Sequence, residues 1–476
     1  MATEANARSA AVTAMTADAP MLEALMGGTA AMRKAGDKYL PKWPNEEKAS
    51  WDSRLKTATL FPAYRRTVSV MSGKPFSKAL TLSDDTPDQI EEWAEDIDRE
   101  GVNLHTFAAE MFQESFYGLA GILVEAPKAD SPDAPVTRAA QKAAGVRPYF
   151  VRVMHNQILG WRVSRESGAR KLTQLRIAET ACEDDGDYGE KTVERVRVLT
   201  PGAWQVLEKR TASNTAVSWV EVERGVSGLD YIPFVPVYGQ RQGFMSGLPP
   251  LRDLAYLNVK HWQSQSDQDT ILHVARVPIL FLSGADEKTT LTVGASSAIT
   301  GPTGAKLEFV EHTGQAIGAG QASLDALEQQ MIQAGAELLV KKPGQRSATE
   351  SANDAEGNKS DLQRMAESFS DSLDAALQMM ADYASLPSGG HVILFSDYGA
   401  ATLTSASGQL VLAMRRDRLI SNDTAISEMK RRGELAADVD PEAEEAKIIE
   451  EMSGEDETDD ETAALGEMPA EDAPAD

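Results

Sequence analysis

Six histidines stand singly in this chain, at His105, His155, His261, His273, His312 and His391. None has the i, i+4 spacing by which one helix presents two imidazoles to a metal. His105 lies beside an apolar stripe and reads as a core residue. Gly318-Ala319-Gly320 follows an extended, charged stretch, but the pattern stops at GxGxxS and no β-α-β unit follows, so a dinucleotide loop is not expected. GPTGAK (residues 301–306) resembles a piece of a phosphate loop. Its spacing is short, no Ser or Thr follows the lysine, and a strand comes where a helix is needed, so it reads as a hairpin turn. The acidic pairs Asp184-Asp185 and Asp459-Asp460 sit in polar runs, where carboxylates are solvated and not poised as acid and base. There is no GxSxG elbow, and Cys182, the sole cysteine, has no helper and no disulfide mate. The residues therefore give no catalytic, metal or cofactor site. One basic cluster remains, Lys341, Lys342 and Arg346, in a polar stretch between two helical runs. By itself it reads as a solvated loop after a helix C-terminus. Nothing else forms a basic stripe, so tight static binding of nucleic acid is not expected.

The elements around that cluster are long. In residues 360–383 the apolar positions Leu362, Met365, Phe369, Leu373, Ala376, Leu377, Met380 and Tyr383 recur at gaps of three and four, which predicts a helix. Ser360 and Gln363 are spaced as a capping box. A second helical run covers residues 324–340, with Leu324, Leu327, Met331, Leu338 and Leu339 on one stripe. A third covers residues 250–276. Its middle, QSQSDQDT (residues 263–270), is wholly polar and predicts a face toward water or another subunit.

The remainder is mixed. Residues 1–31 lack a clear period and read as a mobile arm with one short helix at most. Helices are expected over residues 51–60 and 64–71, after Thr86-Pro87 with Thr86 as the cap, and after Asn103. GILVEAP (residues 121–127) reads as a buried strand and residues 127–148 as a surface excursion. From residue 149 to 238 the period is two, with turns at Gly168, 184–189, 201–202 and 225–228, which predicts an antiparallel meander with one wet face. Short strands are expected within residues 277–312 and 390–395, and last helices over 406–416 and 423–432. The fold class is α+β.

The net charge is −26, unevenly placed. Residues 434–476 hold 18 acidic side chains against Lys447 alone, and the rest is only mildly acidic, with 55 acidic against 46 basic residues. That acidic tail reads as disordered, either a solubilising extension or a docking element. No run approaches the roughly 18 apolar residues of a membrane span, and the N-terminus lacks a signal-peptide core. A protein made in the cytoplasm, with no membrane partner, is expected.

Several runs match one family in order and spacing: YLPKWPNEEKASWDSRLKTATLFPAYRRTVSVMSGKPF, DREGVNLHTFAAEMFQESFYGLAGILVEAP, IPFVPVYG, PPLRDLAYLNVKHWQSQSDQDTILHVARVPILFLSG, and LEQQMIQAGAELLVKKPGQRSATESANDAEGNKSDLQRMAESFSDSL. Over residues 34–433 the chain resembles a tailed-bacteriophage portal-protein family long filed as a domain of unknown function. The resemblance implies a phage portal fold, with an antiparallel β-rich wing and clip and long stem and tunnel helices, assembled as a dodecameric ring. It implies a flexible arm at 1–31, a wing at 32–249, stem helices at 250–276 and 321–340, a clip at 277–320, a tunnel loop at 341–359, a long helix at 360–386, a crown-proximal region at 387–433 and an acidic tail at 434–476. The implied function is conduction of double-stranded DNA at one capsid vertex, for packaging, head-tail attachment and ejection. Implied partners are the terminase large subunit, major capsid and scaffolding proteins and a head-tail adaptor, in the virion and, during assembly, the host cytoplasm. The apolar face of residues 360–383 would then be an intersubunit surface as much as an internal one. Lys341, Lys342 and Arg346 would touch the DNA backbone, few enough to let it slide. The alternatives are another head-structural or head-completion protein and an uncharacterised hydrolase.

Overall fold

The computed structural model describes residues 4–126, 147–166, 168–211, 217–275, 279–284, 306–310, 315–336, 360–396, 412–416 and 419–431, with residues 435, 440 and 443. The chain divides into two units, Met1–Ser396 and Asp397–Asp476. In the second unit, α11 (Asn422–Arg431) starts where the Ser421 hydroxyl accepts the Thr424 amide, and it buries Ala425.

The first unit begins with α1 (Ala10–Met15), α2 (Ala19–Met26) and α3 (Gly28–Ala35). The expected mobile arm is thus three packed helices. Val12, Leu22 and Leu25 are fully buried, and Val12 packs against Leu119, Ile158, Leu175 and Phe234. Each helix is too short to display a period, so the pattern is invisible to a helical window. Ser9 fixes the entry, its hydroxyl accepting the Val12 amide while its own amide donates to Leu159 O at 2.8 Å.

Next come α4 (Lys48–Thr57), α5 (Ala63–Gly73), β1 (Thr81–Leu82), α6 (Asp88–Ala94) and α7 (Leu104–Glu114). Asn103 caps α7 as expected, accepting the Thr106 amide at 2.9 Å. At α6 the cap moves one residue on: Pro87 is the N-cap, without a side-chain bond. Thr86 is buried, and it fills the space beside Gly390, where a Cβ would meet its hydroxyl at 2.1 Å. Tertiary packing takes the threonine that the local code assigns to capping.

Strand β2 (Leu119–Glu125) is central in an antiparallel three-stranded sheet ordered β3-β2-β9, with β3 (Tyr149–Val153) and β9 (Phe234–Tyr238). It is buried through Val124, which explains its continuous apolar run. The expected meander is a separate five-stranded sheet in sequential order: β4 (Ile158–Glu166), β5 (Ala169–Asp185), β6 (Gly189–Thr200), β7 (Ala203–Thr211) and β8 (Val217–Val226). Its apolar face joins the core through Ile158, Leu175, Ile177 and Leu199. The other face is not wholly wet, since Leu159, Val196 and Val198 form a second cluster against Ala5 and Trp219.

The hairpin β10 (Gln240–Gly243) and β11 (Ser246–Leu248) leads into the long helices. Here Gly247 lies so close to Gly118 that a Cβ would sit 2.2 Å from the Gly118 carbonyl oxygen. Backbone cannot swing aside as a side chain can. Gly247→Ala should cost about 3 kcal/mol, seen as a lowered thermal midpoint by circular dichroism.

Helix α8 (Arg252–Ala275) is followed by the paired strands β12 (Ile279–Ser283) and β13 (Lys306–Val310), then α9 (Gln315–Ala336) and α10 (Asp361–Ala384). The capping box of α10 is formed in full: Ser360 Oγ accepts the Gln363 amide and Gln363 Oε1 accepts the Ser360 amide. Its apolar face is covered within its own chain, by β2, β9 and α7, and Leu362, Phe369, Leu373, Leu377 and Met380 are buried. This corrects the expectation of an intersubunit surface, because the N-terminal half of the chain supplies the cover. β14 (Val392–Ile393) closes the unit by pairing with β1. Asp374 of α10 clamps it, with Oδ1 accepting the Val392 amide at 2.7 Å and Oδ2 lying 3.0 Å from His391 Nδ1.

That hydrogen bond raises the His391 pKa above its ordinary value of 6.5. A raised folded-state value stabilises the clamp fully below 6.5 and loses that contribution as pH rises through the folded value. Asp374→Asn should lower the His391 titration midpoint in an NMR pH series, and the melting difference from wild type should shrink above neutral pH.

Candidate functional site

The residues that could do chemistry are tied into structural pairs. His155 is buried, with Nδ1 2.6 Å from Glu114 Oε1, Nε2 3.0 Å from Glu23 Oε1 and its ring stacked on Tyr117 at 3.9 Å. This joins α2, α7 and the turn between β3 and β4, and it leaves neither ring nitrogen for a ligand. Burial, with Glu114 and Glu23 nearby, holds the Tyr117 phenol well above its ordinary value. His105 accepts the Leu80 amide at 3.2 Å and meets the Phe76 ring edge-on. Gly318-Ala319-Gly320 lies inside α9 and makes no loop. Asp184-Asp185 ends β5. Residues 301–305, His312, Asp459 and Asp460 lie outside the described residues. Cys182 is exposed on β5. Among the described residues no group of three His, Cys, Asp or Glu could hold a metal ion, and no helix is long and apolar enough to cross a membrane.

The distinctive construction is the pair α8 and α9. Leu254 lies beside Gly335, His261 Nε2 is 3.4 Å from Glu328 Oε1, and Gln268 Nε2 donates to Ile317 O at 3.0 Å. One helix ascends as the other descends, so the two are antiparallel. The α8 contacts fall seven residues apart, which is the repeat of a two-helix seam. At about 1.5 Å per residue the pair is roughly 35 Å long.

The seam changes character along its length. Near the start of α8 it is apolar, with Leu251, Leu254 and Ala255 buried. Further on, α8 buries Asn258, His261, Trp262, Ser266 and Gln268. Gln268 fits only because Gly320 faces it, since a Cβ there would stand 2.0 Å from Gln268 Oε1. Within the polar stretch of residues 263–270, expected to face water or another subunit, Ser266 and Gln268 are buried, Asp269 is exposed and the others are half-buried. Gln263 donates to Tyr39 O at 3.1 Å, and Asp267 stands 3.6 Å from Arg54. Burial raises the Asp267 pKa while Arg54 opposes the shift. His261 Nδ1 and Nε2, Trp262 Nε1 and Ser266 Oγ are buried without a hydrogen-bond partner among the described residues. Hydrogen-bond geometry is missing between His261 and Glu328 despite their proximity. Sequence periodicity misses this seam because its residues are polar, and a seven-residue spacing of Leu254, His261 and Gln268 was the available signal.

The polar half of α8 is flanked by a buried ion pair. Arg54 on α4 makes two 2.9 Å bonds to Glu46, a third bond to Pro41 O, and stacks over Trp43 at 4.1 Å. The guanidinium holds the Glu46 carboxyl below its ordinary value. Asn258 of α8 accepts the Tyr64 amide and donates to Phe61 O, pinning α5 to the same helix.

The antiparallel ribbon β12–β13 sits at the far end of the pair, joined to α8 and α9 through residues 276–278 and 311–314. At the near end, residues 337–359 connect α9 to the capped start of α10. Lys341, Lys342 and Arg346 fall in that connection, outside the described residues.

No curated protein matches the chain. Solved structures that are similar include a chain of the neck of an empty GTA particle computed with C6 symmetry, 13% identical, covering 78% of this chain and 90% of that one at a TM-score of 0.39. A chain of the virion of the native gene transfer agent (GTA) particle is 12% identical, covering 83% and 98% at 0.39. A chain of the neck of the native GTA particle computed with C12 symmetry is 12% identical, covering 75% and 84% at 0.36. A family model described as a domain of unknown function, DUF4055, matches residues 250–384, from the entry of α8 to the end of α10.

Proposed function

We propose that this chain is a subunit of the ring-shaped DNA conduit at one vertex of a tailed-phage head, serving packaging, head-tail attachment and ejection. The observation that carries the reading is the antiparallel pair α8 and α9, with a two-stranded ribbon at its far end and a connection to the capped helix α10 at its near end. That order of stem, clip, stem, loop and long helix is the one expected from the resemblance over residues 34–433. The engagement of His105, His155 and His391 in structural contacts supports a role without catalysis.

In this reading the ring is a dodecamer, its axial partner is double-stranded DNA, and the terminase large subunit, capsid and scaffolding proteins and a head-tail adaptor dock on it. Residues 341–359 form the loop facing the DNA. Replacing Lys341, Lys342 and Arg346 together by Gln should reduce DNA retention in an in vitro packaging assay by roughly twofold or more, since each lost phosphate contact weakens binding. Unchanged packaging rate and retention would remove these residues from the DNA path. Negative-stain microscopy with native mass spectrometry tests the reading as a whole. A ring with a central hole is expected, and a compact monomer overturns it.

A head-completion role outside the conduit is the second reading. It is favoured by one observation, that the apolar face of α10 is already covered within its own chain and needs no neighbour to bury it.

A further inference from the structure

Strand β5 carries opposite charges at its two ends. It is 17 residues long, roughly 55 Å when extended. Its pairing with β6 begins at Leu175, so residues before that continue with β4 as a two-stranded ribbon beyond the sheet. The ribbon bears Arg162, Arg165, Arg170 and Lys171, all exposed, against Glu166 as the one acidic residue. At the other end, β6 pairs with β7 only from Arg195 onward, so β5 and β6 form a second projecting ribbon. It bears Glu183, Asp184, Asp185, Asp187 and Glu190, all exposed, with Lys191 opposite Glu183 as its one basic residue.

Each ribbon is built against itself. Arg165 lies directly opposite Arg170 in register, and Asp184 lies directly opposite Glu190. Directly opposed like charges destabilise a strand pair. The rest of the sheet avoids this. Arg195 meets Glu183 and Glu208, Arg197 meets Glu125 and Glu179, Lys209 meets Glu194, and Arg224 meets Glu221. At the tips, Arg162, Arg165 and Arg170, and likewise Asp184, Asp185, Asp187 and Glu190, make no ion pair among the described residues. Tyr188 stands fully exposed at the acidic tip, an aromatic face on which a guanidinium can stack.

We infer that these tips are the two halves of one contact between copies of this chain, Arg165 and Arg170 of one copy docking on the Asp184–Tyr188 tip of the next. A second copy is the occupant because each chain offers a basic tip and a matching acidic one, and one contact relieves both like-charge pairs. The contact is head-to-tail, since different patches meet, and such contacts close into rings or extend as filaments. The inference deepens the proposed conduit reading, for which it supplies a subunit contact, but the contact itself does not require a DNA channel.

Charge reversal tests it in the full-length protein. Variant one carries Arg165→Glu and Arg170→Glu; variant two carries Asp184→Arg and Asp185→Arg. Both sites are exposed, and circular dichroism checks that each variant folds. Assembly is read by sedimentation velocity and native mass at low salt. Each variant alone should assemble roughly tenfold more weakly than wild type or worse, and an equimolar mixture should recover assembly with the two chains alternating. Wild-type assembly should weaken as salt rises. The inference is overturned if wild type stays monomeric, if either variant assembles as wild type does, or if mixing restores nothing. It is equally overturned if variant one assembles normally and has lost only binding to a 30-base-pair DNA duplex. Assemblies that obey the charge rule but show no central hole in micrographs sink the conduit reading and leave this contact standing.

Discussion

Truncation of Phe369 to alanine is expected to lower stability by about 4 kcal/mol, the largest loss available from one apolar side chain in α10. The ring is 2% exposed and joins two others, with centroids 5.3 Å from Phe112 on α7 and 6.3 Å from Phe76. Removing it empties a site at which α7, α10 and the segment after α5 meet, so no single element can relax to fill the space. Tilted and edge-on aromatic pairs add to the area term. Phe369→Leu should recover more than half of the loss, because most of the volume returns. Chemical denaturation followed by tryptophan fluorescence measures both variants; equal midpoints for Phe369→Ala and wild type would mean that α10 is not anchored here.

Arg54→Ala is the second large effect, about 3–5 kcal/mol. The guanidinium and the Glu46 carboxylate are both nearly inaccessible, so removing one leaves the other buried without its partner. The same substitution strips Pro41 O of a donor and Trp43 of its stacked cation. Replacing the pair together, Arg54→Met with Glu46→Leu, should cost far less than Arg54→Ala, since desolvating two charges offsets much of what their attraction contributes. A pH series adds a sign. The Glu46 carboxyl is held below its ordinary value of 4.5 by Arg54, so the pair's contribution is complete above that value and is lost as pH falls through the depressed one. Wild type and Arg54→Ala should therefore converge in melting temperature on acidification.

Much of the helical architecture is legible from local chemistry. The Ser360–Gln363 box and the Asn103 cap form as read because their donors and acceptors lie within one turn of each other. The Tyr149–Val153 and Leu119–Glu125 strands follow from alternation and continuous burial, yet nothing local says that they leave the meander and join Phe234–Tyr238 in a separate sheet. Thr86 is the instructive failure, a good capping residue used instead to pack beside Gly390.

The α+β class, the long helices and the uneven charge follow from period, caps and composition, which are properties of neighbours along the chain. The rest depends on contacts between distant segments. Long-range packing seats three short N-terminal helices in the core, sets Gln268 of α8 against Gly320, and covers α10 from within. It also assembles the Arg162–Lys171 ribbon, which a linear search for basic stripes passes over because the turn at Gly168 separates its halves. Each of these depends on which distant surfaces meet, and partner choice over a hundred residues is fixed by global packing and not by local preference.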